Sequence, residues 1–259
     1  MRDRLRRLAA RLRPGEPGRD FAREPGRAPG GSSADLAALE AAWPRHPLAA
    51  LPDDFALVRV LGADLEPRHR RGQTRENLAF VLAHEPKPDR VTRLWVANRI
   101  ADREEEAAIL ALLDAHGEPW LRIPFVAEDY ARAGWDRAFL PPGLPGGPDW
   151  ELLGEGRRER LTLALYRAKN AYAMNNNGAR NAALEAGRAA GAKWVLPWDG
   201  NCFLTEAAWA AIREGVAARP WLPYHVVPMA RAGENAALLD PGFAPDPVEE
   251  PQILFRRDA

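Results

Sequence analysis

One cysteine, Cys202, stands in 259 residues, which excludes an intramolecular disulfide and a multi-cysteine zinc site and suits a reducing compartment. Net charge is also missing: 36 Lys and Arg balance 36 Asp and Glu, so no basic excess exists to hold nucleic acid in bulk, and nucleic acid is not an expected partner. No apolar run approaches the roughly 20 residues that span a bilayer, and no signal-peptide core follows the N-terminal charges. The expectation is a cytoplasmic protein. Its 46% hydrophobic content suffices for one α/β domain with appendages.

The first 35 residues are Arg-rich at their start, then rich in Pro, Gly and Ser, a composition that cannot offset its ordering entropy and reads as disordered. A short helix over residues 2–13 would set Leu5, Leu8 and Leu12 among arginines, suited to weak association with an anionic membrane surface at the inner face.

Residues 52–259 read as one domain. FALVRVLG (55–62), TRLWVANRI (92–100) and PWLRIPF (119–125) have the length and β-branched content of strands. Between them, TRENLAFVLAHE (74–85) and DREEEAAILALLDAHG (102–117) have helical spacing, with Thr74 a candidate N-cap and Gly117 a C-terminal stop. Such alternation predicts a mostly parallel, Rossmann-like mixed sheet flanked by helices. Residues 133–157 are dense in Pro and Gly and read as a long loop or lid rather than a domain boundary. Helical pattern returns in ERLTLALYRAKNAYA and NGARNAALEAGRAAG, then a strand in AKWVLPWDG, a helix capped by Thr205, and two later strands, YHVVPMA and PQILFRR.

Ligands of open α/β sheets bind beyond the carboxyl ends of the strands. Asp64, Asn98, Asp102, Asp199 and Asn201 fall at or just past such ends. The triplet Asp199-Gly200-Asn201 admits two readings. It is good turn chemistry, with Gly tolerating positive φ and Asx side chains bonding nearby backbone. It also delivers a carboxylate and an amide oxygen to one point, as a Mg²⁺ or Mn²⁺ site needs.

NNNGARNAALEAGRAAGAKWVLPWDGN (175–201) resembles the central block of the family 2-like glycosyltransferases of the GT-A fold, in which Ala-Arg-Asn on a helix is followed by a strand ending in an Asp-x-Asp metal motif. Ala179, Arg180 and Asn181 match the first part, and Asp199 follows at the distance of a helix plus a strand. Asn201 departs from the pattern, standing where the second acid would be. The resemblance implies a GT-A fold over about residues 55–230, a nucleotide-diphosphate sugar as donor, Mn²⁺ or Mg²⁺ as cofactor, and an acceptor left unidentified. It implies donor contacts from Asn177, Arg180 and Asn181, beside those expected of the strand-end residues Asp64, Asn98 and Asp102. Metal contacts would come from Asp199 and Asn201, with His225 reaching over from a neighbouring strand.

An inverting enzyme needs a carboxylate base near the acceptor. The candidates are Glu234, Asp240, Glu249 and Glu250, and Glu250 is carried forward with Asp199 as catalytic. His69 lies in the basic stretch RHRRG, suited to phosphate or to solvent. Nine tryptophans offer core mass or sugar-stacking faces. Two other classes stay open. A nucleotidyltransferase would show a Gly-rich phosphate loop and a lysine after the first strand, and FALVRVLG is followed by neither. A non-catalytic nucleotide-sugar-binding module would retain the fold, and the amide at 201 suits it.

Overall fold

A computed structural model describes residues 33–65, 69–137, 147–240, 242–244 and 246–259. The expected disordered segment and its leucine-bearing helix lie outside these residues, except for residues 33–35, which open a helix. The chain divides into two compact units, one formed by Val126–Tyr172 and the other by Gly31–Phe125 with Ala173–Ala259.

The larger unit is built on a six-stranded sheet of order β3-β2-β1-β4-β6-β5. Its strands are β1 (Phe55–Leu61), β2 (Val91–Asn98), β3 (Trp120–Ile123), β4 (Trp194–Asp199), β5 (Tyr224–Met229) and β6 (Glu249–Arg256). The first four pair in parallel, while β6 is antiparallel to both β4 and β5. Burial follows this pairing. β1 and β4 are buried along nearly their whole length, whereas β5 alternates between exposed and partly buried, as expected of central parallel strands and of an antiparallel edge.

Helix α1 (Ser33–Ala42) leads into a short 3-10 turn at Trp43–Arg45, so the folded body begins well before residue 52. Leu48 is buried, the Lys193 ammonium donates to the Leu51 carbonyl at 3.1 Å, and the Trp43 ring receives the Lys193 and Arg256 cations at 5.2 and 5.0 Å. No apolar periodicity marks this contact, which rests on one aromatic face and two long cationic side chains.

One face of the sheet is covered by α2 (Gln73–His84), α3 (Arg103–Ala115) and α9 (Glu206–Ala218), through Leu78, Val81, Ile109, Leu113, Trp209, Ile212 and Val216. The other is covered by α8 (Asn176–Ala189), whose buried stripe is Ala179, Ala183 and Gly187. Small residues four apart bring this helix close to the strands. A methyl on Gly187 would lie 2.5 Å from Val195 Cγ1. α8 does not extend over β5 and β6, where Tyr224, Val226 and Ile253 stay exposed.

Thr205 caps α9 as expected, accepting from the Ala208 N–H at 3.1 Å. Thr74 does not cap α2. Gly72 occupies that position at φ +83°, and Asp64 binds both the N–H and the hydroxyl of Thr74, at 3.1 and 2.7 Å.

The smaller unit holds α4 (Ala127–Arg132), α5 (Pro148–Glu151), α6 (Glu155–Leu165) and most of α7 (Arg167–Met174). The segment read as a loop over 133–157 therefore carries helical turns. Leu153 packs against Trp150 and Leu161, and the buried Lys169 ammonium donates to the Tyr130 carbonyl at 2.8 Å and lies over the Trp135 ring at 4.8 Å. Among the described residues no helix is long and apolar enough to cross a membrane.

Candidate functional site

The chain builds β1, β2 and β3 outward in one direction, then returns to set β4 on the other side of β1. Strand order reverses there, and the ligands of open α/β sheets lie beyond the carboxyl ends of the strands. A cleft of about 870 Å³ opens at the end of β4. Asp199 is the last residue of that strand. Val195 packs with the α8 face, and strand alternation puts Pro197 and Asp199 on the same side.

Gly200 explains why the turn stays close to β1. Its N–H donates to the Val60 carbonyl at 2.8 Å. A methyl there would lie 2.6 Å from Leu61 Cδ2 and 2.7 Å from Val60 O. Gly200 is not among the glycines at positive φ, so close approach to β1, rather than backbone handedness, demands the glycine. The next residues are tied inward: Arg59, fully buried, donates to the Cys202 carbonyl at 3.0 Å, and Glu85 accepts from the Leu204 N–H at 2.7 Å. The Cys202 thiol is pushed up to about 12 by burial and by the Asp199 charge, which favours the protonated thiol over the nucleophilic thiolate.

Arg180, the fifth residue of α8, reaches Asp199: Nη2 donates to Oδ1 at 2.9 Å. Gln252 on β6, mostly buried, donates to Oδ2 at 3.3 Å. Arg180, Asn181, Asp199, Asn201 and Glu250 all line the cleft, as does His69. Glu249 lines it too, bound through both oxygens by Arg231 at 3.1 and 3.0 Å, and this guanidinium holds its carboxyl below the usual range.

Other expected residues lie elsewhere. Asp64 is occupied by Thr74 at the start of α2. Asp102 is the N-cap of α3, accepting from the Glu104 and Glu105 N–H groups at 3.0 and 3.2 Å, and Arg71 beside it lowers its carboxyl. Asn98 is buried and braces two segments, donating to the Met174 carbonyl at 2.8 Å and accepting from Asn175 at 3.0 Å. Asn177 is exposed and does not line the cleft. Glu234 and Asp240 are outside it as well; Asp240 accepts from the Gly242 N–H.

His225 requires a correction. It lies near the start of β5 and meets the edge of Trp194, the first residue of β4, at 5.3 Å between ring centroids. Asp199 is five residues further along β4, about 16 Å away at roughly 3.3 Å per residue. His225 and Asp199 therefore sit at opposite ends of the sheet and do not share an ion. Burial pushes the His225 imidazole down, in keeping with a packed neutral ring. Of the two readings of the tryptophans, core mass is the one the structure favours over a stacking surface at this cleft. None lines the cleft, and Trp95, Trp194 and Trp198 are buried in the core.

Asp199 and Asn201 offer a magnesium or manganese ion one carboxylate and one neutral oxygen. Among the described residues no three His, Cys, Asp or Glu are grouped to hold a metal. This donor set fits a hard ion that takes most of its ligands from water and substrate phosphates, the usual habit of Mg²⁺, and does not fit a closed protein cage. Pattern reading missed Gln252 and Arg231. Each lies in or just after a strand whose periodicity predicts the element but says nothing of what its end faces. No family model, curated protein or solved structure matches the chain.

Proposed function

We propose that the protein is a glycosyltransferase that takes a sugar from a nucleotide-diphosphate donor. The observation that carries this reading is the meeting of Asp199 and Arg180 at the strand-order reversal, in a cleft lined by further polar side chains. A diphosphate leaving group gains negative charge as the glycosidic bond breaks, and an arginine with a carboxylate-bound hard ion is suited to neutralise it. Mn²⁺ or Mg²⁺, held by Asp199 and Asn201, would supply that Lewis-acid charge compensation. Arg180 would bind phosphate oxygens bidentately, and Asn181 is near enough along α8 to contact the donor.

Glu250, exposed at the start of β6, would act as base. An acceptor hydroxyl attacks the anomeric carbon, the carbon–oxygen bond to the diphosphate breaks with its electron pair leaving on the nucleotide, and Glu250 takes the hydroxyl proton. Calorimetric titration of UDP, GDP, ADP and CMP with Mn²⁺ present tests the reading. UDP, GDP or ADP should bind in the micromolar range; silence from all three would end the reading, and binding of CMP alone would point away from a diphosphate donor. Nucleotide-sugar binding with no turnover on any acceptor would instead favour the non-catalytic module.

A further inference from the structure

We propose that the Arg180–Asp199 pair makes the cleft accept a metal ion and a diphosphate together and discriminate against either alone. This rests on the donor-site reading above and adds a coupling to it. Asp199 is not free to meet a cation: its Oδ1 is held by the Arg180 guanidinium at 2.9 Å and its Oδ2 by the Gln252 amide at 3.3 Å. A lone divalent ion must approach against the adjacent guanidinium charge. A lone diphosphate meets the opposite obstacle, because Arg180 is already satisfied by a carboxylate.

The surrounding charge adds to the obstacle that a lone diphosphate meets. Three carboxylates, Asp199, Glu249 and Glu250, and two guanidiniums, Arg180 and Arg231, line the cleft, a balance that repels an uncompensated polyanion. When ion and diphosphate enter as one complex, both obstacles vanish. Arg180 turns to the phosphate oxygens and Asp199 turns to the ion, so one ion pair is exchanged for two favourable contacts. The side chains have room to part, since Arg180 and Asp199 are 43% and 50% exposed. An exposed pair of this kind shifts an equilibrium by roughly two- to fivefold, so each ligand alone should be weakened by about that factor. By thermodynamic linkage, each should strengthen the other in return.

Two single-ligand titrations test this on the full chain. Mn²⁺ alone, followed by electron paramagnetic resonance, should bind Arg180→Met and Arg180→Gln roughly two- to fivefold more tightly than the parent. Inorganic pyrophosphate alone, titrated by calorimetry in EDTA, should bind Asp199→Asn more tightly by a similar factor, because Arg180 is released. Arg231→Met combined with Glu249→Gln removes the other arginine–carboxylate pair of the cleft without freeing a carboxylate or touching Asp199, and its Mn²⁺ affinity should stay within about twofold of the parent. The coupling is overturned if Arg180→Met leaves Mn²⁺ affinity unchanged, if Asp199→Asn leaves pyrophosphate affinity unchanged or lower, or if the Arg231→Met, Glu249→Gln variant matches Arg180→Met. The donor reading fails separately. If the pair behaves as stated but no nucleoside diphosphate outbinds pyrophosphate, the coupling stands and the nucleotide-sugar assignment does not.

Discussion

At Gly200 a single hydrogen in place of a methyl decides whether the turn can lie against β1. A methyl would meet backbone as well as side chain, 2.7 Å from Val60 O, so the neighbour cannot simply rotate away. Gly200→Ala should cost about 1–3 kcal/mol, the usual range for overpacking, read as a lowered midpoint in urea unfolding. It should also displace Asp199 and weaken nucleotide binding. Asp199→Asn has the opposite signature. The side chain is half exposed, so unfolding should be nearly unchanged, while Mn²⁺-dependent nucleotide binding is lost because an amide cannot balance the cation's charge. Asn201→Asp should preserve or tighten that binding. If Asp199→Asn binds nucleotide and Mn²⁺ like the parent, the triplet is only a turn.

Between elements, the decisive contacts are charged and buried. Arg59 on β1 pairs with Glu85 at the end of α2, Arg93 on β2 lies 3.7 Å from Glu85 and pairs with Glu118, and Trp95 donates to Glu118 at 3.1 Å. The same Arg59 and Glu85 hold the backbone of Cys202 and Leu204, so this chain of charges carries the segment that follows Asp199. Burial alone would raise the Glu118 carboxyl, but Arg93, Trp95 and Lys87 overcome that and hold it below its ordinary value of 4.5. A depressed carboxyl contributes stability that is present above the ordinary value and is lost as pH falls through the folded one. The parent should therefore lose stability on acidification below about pH 4.5 more steeply than Glu118→Gln. The variant should be weaker at neutral pH, because Arg93 stays buried and loses the nearer of its two carboxylates, keeping only Glu85 at 3.7 Å. Equal acid slopes in urea titrations would show that Glu118 carries none of the acid sensitivity.

For the molecule as a whole, residues 43–51 belong to the folded body. Leu48 is buried, and Trp43, His46 and the Leu51 carbonyl engage Lys193, Arg256 and Asp258. A chain starting at residue 53 should lose at least the roughly 1.5–3 kcal/mol of burying one leucine, visible as a drop in the thermal midpoint. An unchanged midpoint would show that this contact contributes nothing. The elements themselves were legible: apolar runs marked all six strands, and Gly117 and Thr205 marked helix ends. The body's start was not, because Trp43 and Leu48 are too few and irregular to make a period.

Sequence by itself determined the α/β alternation and the delivery of Asp199 and Asn201 to a strand end, since local periodicity and turn chemistry need only neighbouring residues. Tertiary structure alone decided which expected residues meet. Asp64, Asn98 and Asp102 also follow strands, yet each is spent on a cap or a brace, whereas Gln252 and Arg180 converge on Asp199 from 53 and 19 positions away. It also separated His225 from Asp199, because strand direction and register fix which end of the sheet a residue reaches. Pairing across the sheet depends on strand order, and no local pattern encodes that.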